Sequence, residues 1–167
     1  MNTHGGSLRY FIKRKTNQNF KISKNVNIQF KTEIKNGLDK FSTFKMFAKK
    51  TILSKIKLIH LLKKLKKNKK VIVGYGATAK ATTILNFCNI DNKIIDFFVD
   101  TTPDKINKYM PGKNIFIKKY HKNIYRNVDY FFLGAWNFKK EILIKEKKFI
   151  KNGGKFITHV PFPRLIN

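Results

Sequence analysis

The apolar positions of this chain follow one period near its start and others further on. Over residues 1–37 they are sparse and alternate with polar ones, as in Val26-Asn27-Ile28-Gln29-Phe30, which predicts one or two strands or an irregular arm. From residue 38 to about 65 the spacing becomes three and four. Phe41, Phe44, Phe47, Ala48, Ile52, Ile56, Ile59 and Leu62 form one stripe with lysines opposite, the pattern of a long amphipathic helix. Asn36-Gly37 breaks the chain before it and Asn68 ends it.

Short apolar runs then alternate with helical stretches. Residues 71–73, 94–99, 114–117, 128–133 and 155–160 predict strands, and residues 77–87 and 137 to about 151 predict helices. Pro111-Gly112, Gly153-Gly154, Pro161 and Pro163 punctuate them. Strands of this length between helices predict an α/β fold: a Rossmann-like parallel sheet of about five strands with right-handed crossovers. A long helix and a short β-like arm precede it. Residues 38–167 then form one domain, and residues 1–37 a linking arm.

In such a sheet ligands bind beyond the carboxyl ends of the strands. Three polar or glycine-rich segments fall there by register: residues 74–80, 100–105 and 134–137. The first, Gly74-Tyr75-Gly76-Ala77-Thr78-Ala79-Lys80, leaves a buried strand and enters a helix, with Ala79 in the third place of a G-x-G-x-x-G/A phosphate-binding turn. Lys80 stands where it can reach a phosphate. Asp100 lies 26 residues after Gly74, against roughly 20 for a ribose-binding carboxylate. It can instead cap the turn at Thr101-Thr102-Pro103. Asn137 can cap the helix it opens, while Trp136 and Tyr75 can stack on a base or a sugar.

Composition narrows the chemistry. The 167 residues carry 37 Lys and Arg against nine Asp and Glu, a net charge of +28, yet only four of the cations are arginine. Arginine forks are the groups best suited to phosphate and base recognition, so the lysines are expected to form a solvated surface and not a specific nucleic-acid site. The single Cys88 excludes an intramolecular disulfide and a cysteine-built zinc site and is expected as a small buried thiol. No run is long and apolar enough to span a membrane, and the first 25 residues lack the apolar centre of a secretory leader. A cytoplasmic protein is the expectation. None of the four histidines has a metal-ligand partner at usable spacing, and no Ser/His/Asp or Cys/His set can be assembled.

Taken together, the segments resemble one family. His4-Gly5-Gly6-Ser7-Leu8-Arg9, Glu33, Gly37-Leu38 and Phe47-Ala48 look like the run that joins the middle and C-terminal domains of sugar C-methyltransferases. The segment from Gly74 to Lys80, with Asn86 after it, is similar to that family's GYGAxAKGNTLLN run, although Ala81 and Thr82 stand where the family has Gly and Asn. Val99-Asp100, Pro103, Lys105, Tyr109, Pro111-Gly112, Asp129-Tyr130, Ala135-Trp136-Asn137, Glu141-Ile142 and Gly153-Gly154-Lys155-Phe156 follow in the family's order and spacing. The resemblance implies S-adenosyl-L-methionine-dependent methylation of a carbon in a nucleotide-linked deoxysugar. It also implies a zinc-binding and a methyl-donor domain ahead of a C-terminal Rossmann-like domain that holds the sugar nucleotide.

The expectation is therefore the C-terminal, sugar-nucleotide-binding part of such an enzyme, truncated and inactive alone. The zinc and methyl-donor domains would be lost or carried by a separate chain, with no methyl donor and no metal bound here. Its site would comprise Gly74, Tyr75, Gly76, Ala77, Lys80, Asn86, Asp100, Trp136 and Asn137 for the substrate, with His4 as the catalytic candidate from the domain junction. The alternative is a small NAD(P)-binding module or oxidoreductase subunit, resting on Gly74, Gly76, Ala79 and Asp100. A basic, nucleic-acid-associated protein is the third reading.

Overall fold

A computed structural model describes residues 6–167 of the chain. It divides into two compact units, residues 1–51 and 52–167. The first holds helix α1 (Lys24–Lys35) and the opening of α2 (Phe41–Lys67). None of its described residues is buried, and Phe11, Ile12 and Phe41 are 89%, 93% and 81% exposed.

The β-like arm expected before residue 38 is therefore corrected to a helix over 24–35. Val26, Ile28 and Phe30 fit a two-residue period, but Val26, Phe30 and Ile34 equally fit a four-residue one, and the longer window decides. Ser23 settles the start, its hydroxyl accepting from the Asn25 N–H. The α2 stripe is also only partly a core face. Leu58, Leu62 and Leu65 are buried, whereas Phe41, Phe44, Phe47, Ile52 and Ile56 are exposed.

The second unit is the expected α/β sheet. Its strands are β1 (Ile72–Tyr75), β2 (Phe97–Asp100), β3 (Ile117–Lys119), β4 (Tyr130–Leu133), β5 (Lys155–Thr158) and β6 (Arg164–Ile166), in the order β3-β2-β1-β4-β5-β6. The first five are parallel and β6 is antiparallel to β5. The sixth strand was hidden behind Pro161 and Pro163. Those residues end β5 and turn the chain, and Arg164–Ile166 then pairs back along it. Helix α3 (Ala79–Cys88) follows β1; α4 (Lys139–Lys145) and α5 (Lys147–Lys151) replace the single helix expected over 137–151.

Because side chains alternate across a strand, each sheet strand feeds two cores. Ile72, Phe98, Phe132 and Ile157 pack with Leu58, Leu62, Ala81, Leu85 and the buried thiol of Cys88. Val73, Tyr75, Val99, Phe131, Leu133 and Phe156 pack on the other side with Ile142 and Phe149. At the amino edge, Asp96 and Asp129 accept the N–H groups of Ile72 and Val71 and pair with Lys66 and Lys70 at 3.0 Å each. Among the described residues no helix is long and apolar enough to cross a membrane.

Candidate functional site

The strand order reverses between β1 and β4, and the chain segments leaving these strands diverge there. Such switch points leave a crevice at the carboxyl edge. Here it is a cleft of about 330 Å³ lined from β1 and its turn by Tyr75, Gly76 and Thr78, from β2 and beyond by Val99, Asp100 and Lys105, and by Tyr120 after β3. Ala135, Phe138, Glu141, Ile142 and Lys145 close the side formed by α4 and the turn before it.

The glycine turn has two separate requirements. A Cβ at Gly74 would lie 2.4 Å from the Phe98 ring, so the sheet centre is closed to any side chain. Gly76 has φ +85°, and a Cβ there would meet Ala135 Cβ at 2.8 Å. Thr78 then starts α3: its hydroxyl accepts from the Ala81 N–H and donates to the Gly134 carbonyl at 2.9 Å. The helix start is thereby fixed to the end of β4.

Asp100 is a brace. Its Oδ2 accepts the Ala77 N–H at 2.7 Å, its Oδ1 accepts the Thr102 N–H at 2.8 Å, and Lys105 Nζ lies 3.6 Å from Oδ2. Burial pushes this carboxyl up, but the hydrogen bonds from Thr102 and Ala77 and the Lys105 charge outweigh it and hold the group below the ordinary carboxylate value. Of the two readings from sequence the turn cap is present, since this carboxylate caps the Thr101-Thr102 turn; it also forms part of the cleft wall.

Lys80 and Trp136 meet. The ammonium lies 5.0 Å from the centre of the indole ring, in a cation–π contact just outside the residues that line the cleft. Tyr75 borders the cleft but is mostly buried, only 8% exposed, with its ring against Phe131 and Phe156. Its hydroxyl donates to Glu146 Oε1 at 2.6 Å. Asn86 lies at the far end of α3, where its Nδ2 donates to the carbonyls of Thr82 and Pro111 at 2.9 Å each and latches the 111–112 turn. Asn137 does not cap a helix: Phe138 holds that position for α4, without a side-chain hydrogen bond. Ala77 joins the site through its backbone, and His4 lies outside the described residues.

Sequence reasoning missed Thr78, Lys105, Tyr120, Glu141, Lys145 and Glu146. Lys105 and Glu141 stood inside the family-like segments without being singled out. For Glu146 a direct signal existed. Ile142, Glu146 and Phe149 share one helical face, so an acidic residue sits on a buried stripe.

The sequence pattern of the C-methyltransferase C-terminal domain matches residues 2–161. The chain belongs to that family. C-methyltransferase NovU of Streptomyces niveus is 40% identical to it over 98 residues, 59% of this chain and 23% of the relative. The match thus spans less than a quarter of that relative's length. In this C-methyltransferase C-terminal domain the strand β1, the glycine turn and the start of α3 fall inside the family match, as do both lysines of the cleft.

Proposed function

We propose that this domain holds the nucleotide-linked sugar for an S-adenosylmethionine-dependent sugar C-methyltransferase. The observation that carries the reading is the meeting of an anion-ready turn and an aromatic floor in one cleft. At the start of α3 the Ala81 N–H is held by Thr78 and the Ala77 N–H by Asp100, which leaves those of Ala79 and Lys80 for an anion, and Lys105 lines the same cleft. A diphosphate there would leave the base or sugar over Tyr75 and Tyr120, with Phe138 and Ile142 beside it. Lys80 would leave the Trp136 ring for the phosphate, and the freed indole would cover the ligand.

S-adenosylmethionine would supply the methyl group. Its adenosine diol needs a free carboxylate at the end of a strand, and Asp100 already holds two backbone N–H groups and Lys105. The same argument weighs against an NAD(P) ribose. The methyl donor would thus be held outside these 167 residues, by another part of the enzyme or a separate chain, and the exposed aromatic side chains of residues 6–51 suit contact with it. A buried free cysteine suits the cytoplasm.

Calorimetric titration with a dTDP-sugar tests the reading. Lys80→Ala and Lys105→Ala should each weaken binding about tenfold, or about 1.4 kcal/mol. An unchanged NADH fluorescence is expected on adding the protein. No heat of binding to the unaltered protein overturns the proposal. Methyl transfer by these 167 residues alone would overturn the separate placement of the donor.

A further inference from the structure

Residues 8–35 line no part of the cleft, and no residue of α1 is buried. A helix of about 12 residues is marginal in water unless its apolar face packs against something. On α1 that face is Val26, Phe30 and Ile34, four residues apart and all exposed. The irregular arm before it carries Tyr10, Phe11, Ile12, Phe20 and Ile22, exposed as well. Residues 8–35 together hold eight Lys and Arg against the single carboxylate of Glu33, whose Oε1 accepts from the Gln29 amide at 2.8 Å.

An apolar groove in a protein recognises a helix through anchors at three- and four-residue spacing. The face of α1 offers three, and the arm, which is not helical, offers none in register with them. A second copy of this chain, also at +28, is repelled. A lipid interface needs no register. It takes scattered aromatic and aliphatic side chains at the edge of the acyl region while neighbouring cations meet phosphate. The arm interleaves the two kinds of residue. Arg9 and Lys13 flank Tyr10-Phe11-Ile12, and Lys21 separates Phe20 from Ile22. On α1, Lys24, Lys31 and Lys35 recur at spacings of seven and four, along one side of the apolar stripe.

We propose that the arm and α1 dock on an anionic membrane surface, with their apolar side chains at headgroup level and their lysines and arginines against lipid phosphate. The chain then lies on the membrane and does not cross it. Phe41, Phe44 and Phe47 of α2 stay available to the rest of the enzyme. This docking stands apart from the nucleotide-sugar reading, and neither falls with the other.

Flotation of the full chain tests it, with vesicles of phosphatidylcholine alone and of phosphatidylcholine mixed with phosphatidylglycerol. At about 0.1 M salt the chain should bind the anionic vesicles at least about tenfold more tightly than the neutral ones, and binding should weaken steeply toward about 1 M. The triple variant Lys24→Glu, Lys31→Glu, Lys35→Glu should bind about a hundredfold more weakly. Three matching reversals outside the segment, at the exposed Lys63, Lys64 and Lys67, should cost about fivefold or less. Equal losses from the two sets mean attraction by net charge alone and overturn the proposal. Phe11→Ser with Phe30→Ser keeps every charge and should weaken binding about tenfold or more; unchanged binding overturns the seating of apolar side chains in lipid. Every substituted residue is exposed, so the Trp136 emission of each variant should match that of the unaltered protein. Failure to float with anionic vesicles leaves a protein surface as the cover and overturns the proposal.

Discussion

The backbone N–H of Ala77 donates to Asp100 Oδ2 across 2.7 Å, joining the exit of β1 to the end of the neighbouring strand. With the Thr102 N–H on its other oxygen, one carboxylate holds two turns of the cleft in register. Hydrogen bonds to a charged acceptor contribute about 1.5–3 kcal/mol each. Asp100→Ala should lower unfolding stability by about 3 kcal/mol in urea titration, and Asp100→Asn by less. The folded carboxyl is held below its usual value, so its contribution is present above the unfolded value near 3.8 and lost as pH falls through the folded one.

Trp136 is the single tryptophan, and Lys80 sits on its ring. Lys80→Met should shift the emission spectrum of the free protein, since it removes the charge from the indole face. A phosphate-bearing ligand should produce a similar shift in the unaltered protein by drawing the ammonium away. An emission spectrum unmoved by saturating nucleotide sugar counts against the movement of Lys80.

Gly76→Ala places a Cβ against Ala135 in a backbone conformation with φ +85°. The strain and the contact together should cost about 2–4 kcal/mol. Circular dichroism should show a lower melting temperature, with ligand affinity falling further than in Lys80→Ala because the turn itself moves. The paired substitution of Ala135 by Gly should recover part of the stability, as it removes the opposing methyl group and leaves the strain.

His159 lies stacked on Phe132 at 5.4 Å, with no partner for its Nδ1 among the described residues. Burial holds its pKa down to about 4 from 6.5. Below pH 6.5 the unfolded chain takes up a proton that the folded one refuses, so stability is lost as pH falls from about 6.5 to 4. The loss amounts to at most about 3 kcal/mol. His159→Phe should flatten that limb of a pH–stability curve and leave the region above pH 7 unchanged in slope.

The sheet was legible because its strands are short apolar runs between helices, and β1 with its glycines announced the carboxyl-edge turn. Periodicity over five residues could not separate a strand from a helix at Val26–Phe30. The six-strand count was lost because two prolines conceal the return of Arg164–Ile166. The turn after β1 was legible where its requirements lie in the backbone, at Gly74, Gly76 and Ala77, whereas the contact of Lys80 with Trp136 came from the structure. It was illegible where a side chain's direction matters. Nothing in the order of residues says that Tyr75 faces Glu146 across 71 positions, or that Asn86 reaches Pro111.

The uncovered aromatic and aliphatic side chains of residues 6–51 have a practical consequence for a molecule this cationic. Mutual repulsion among lysines keeps copies apart in dilute buffer, while added electrolyte shortens its reach to about 3 Å at 1 M. Sulfate also strengthens association between oily patches. Preparations should thus stay clear at low ionic strength and turn cloudy on salting, the reverse of what purification of a basic protein usually assumes.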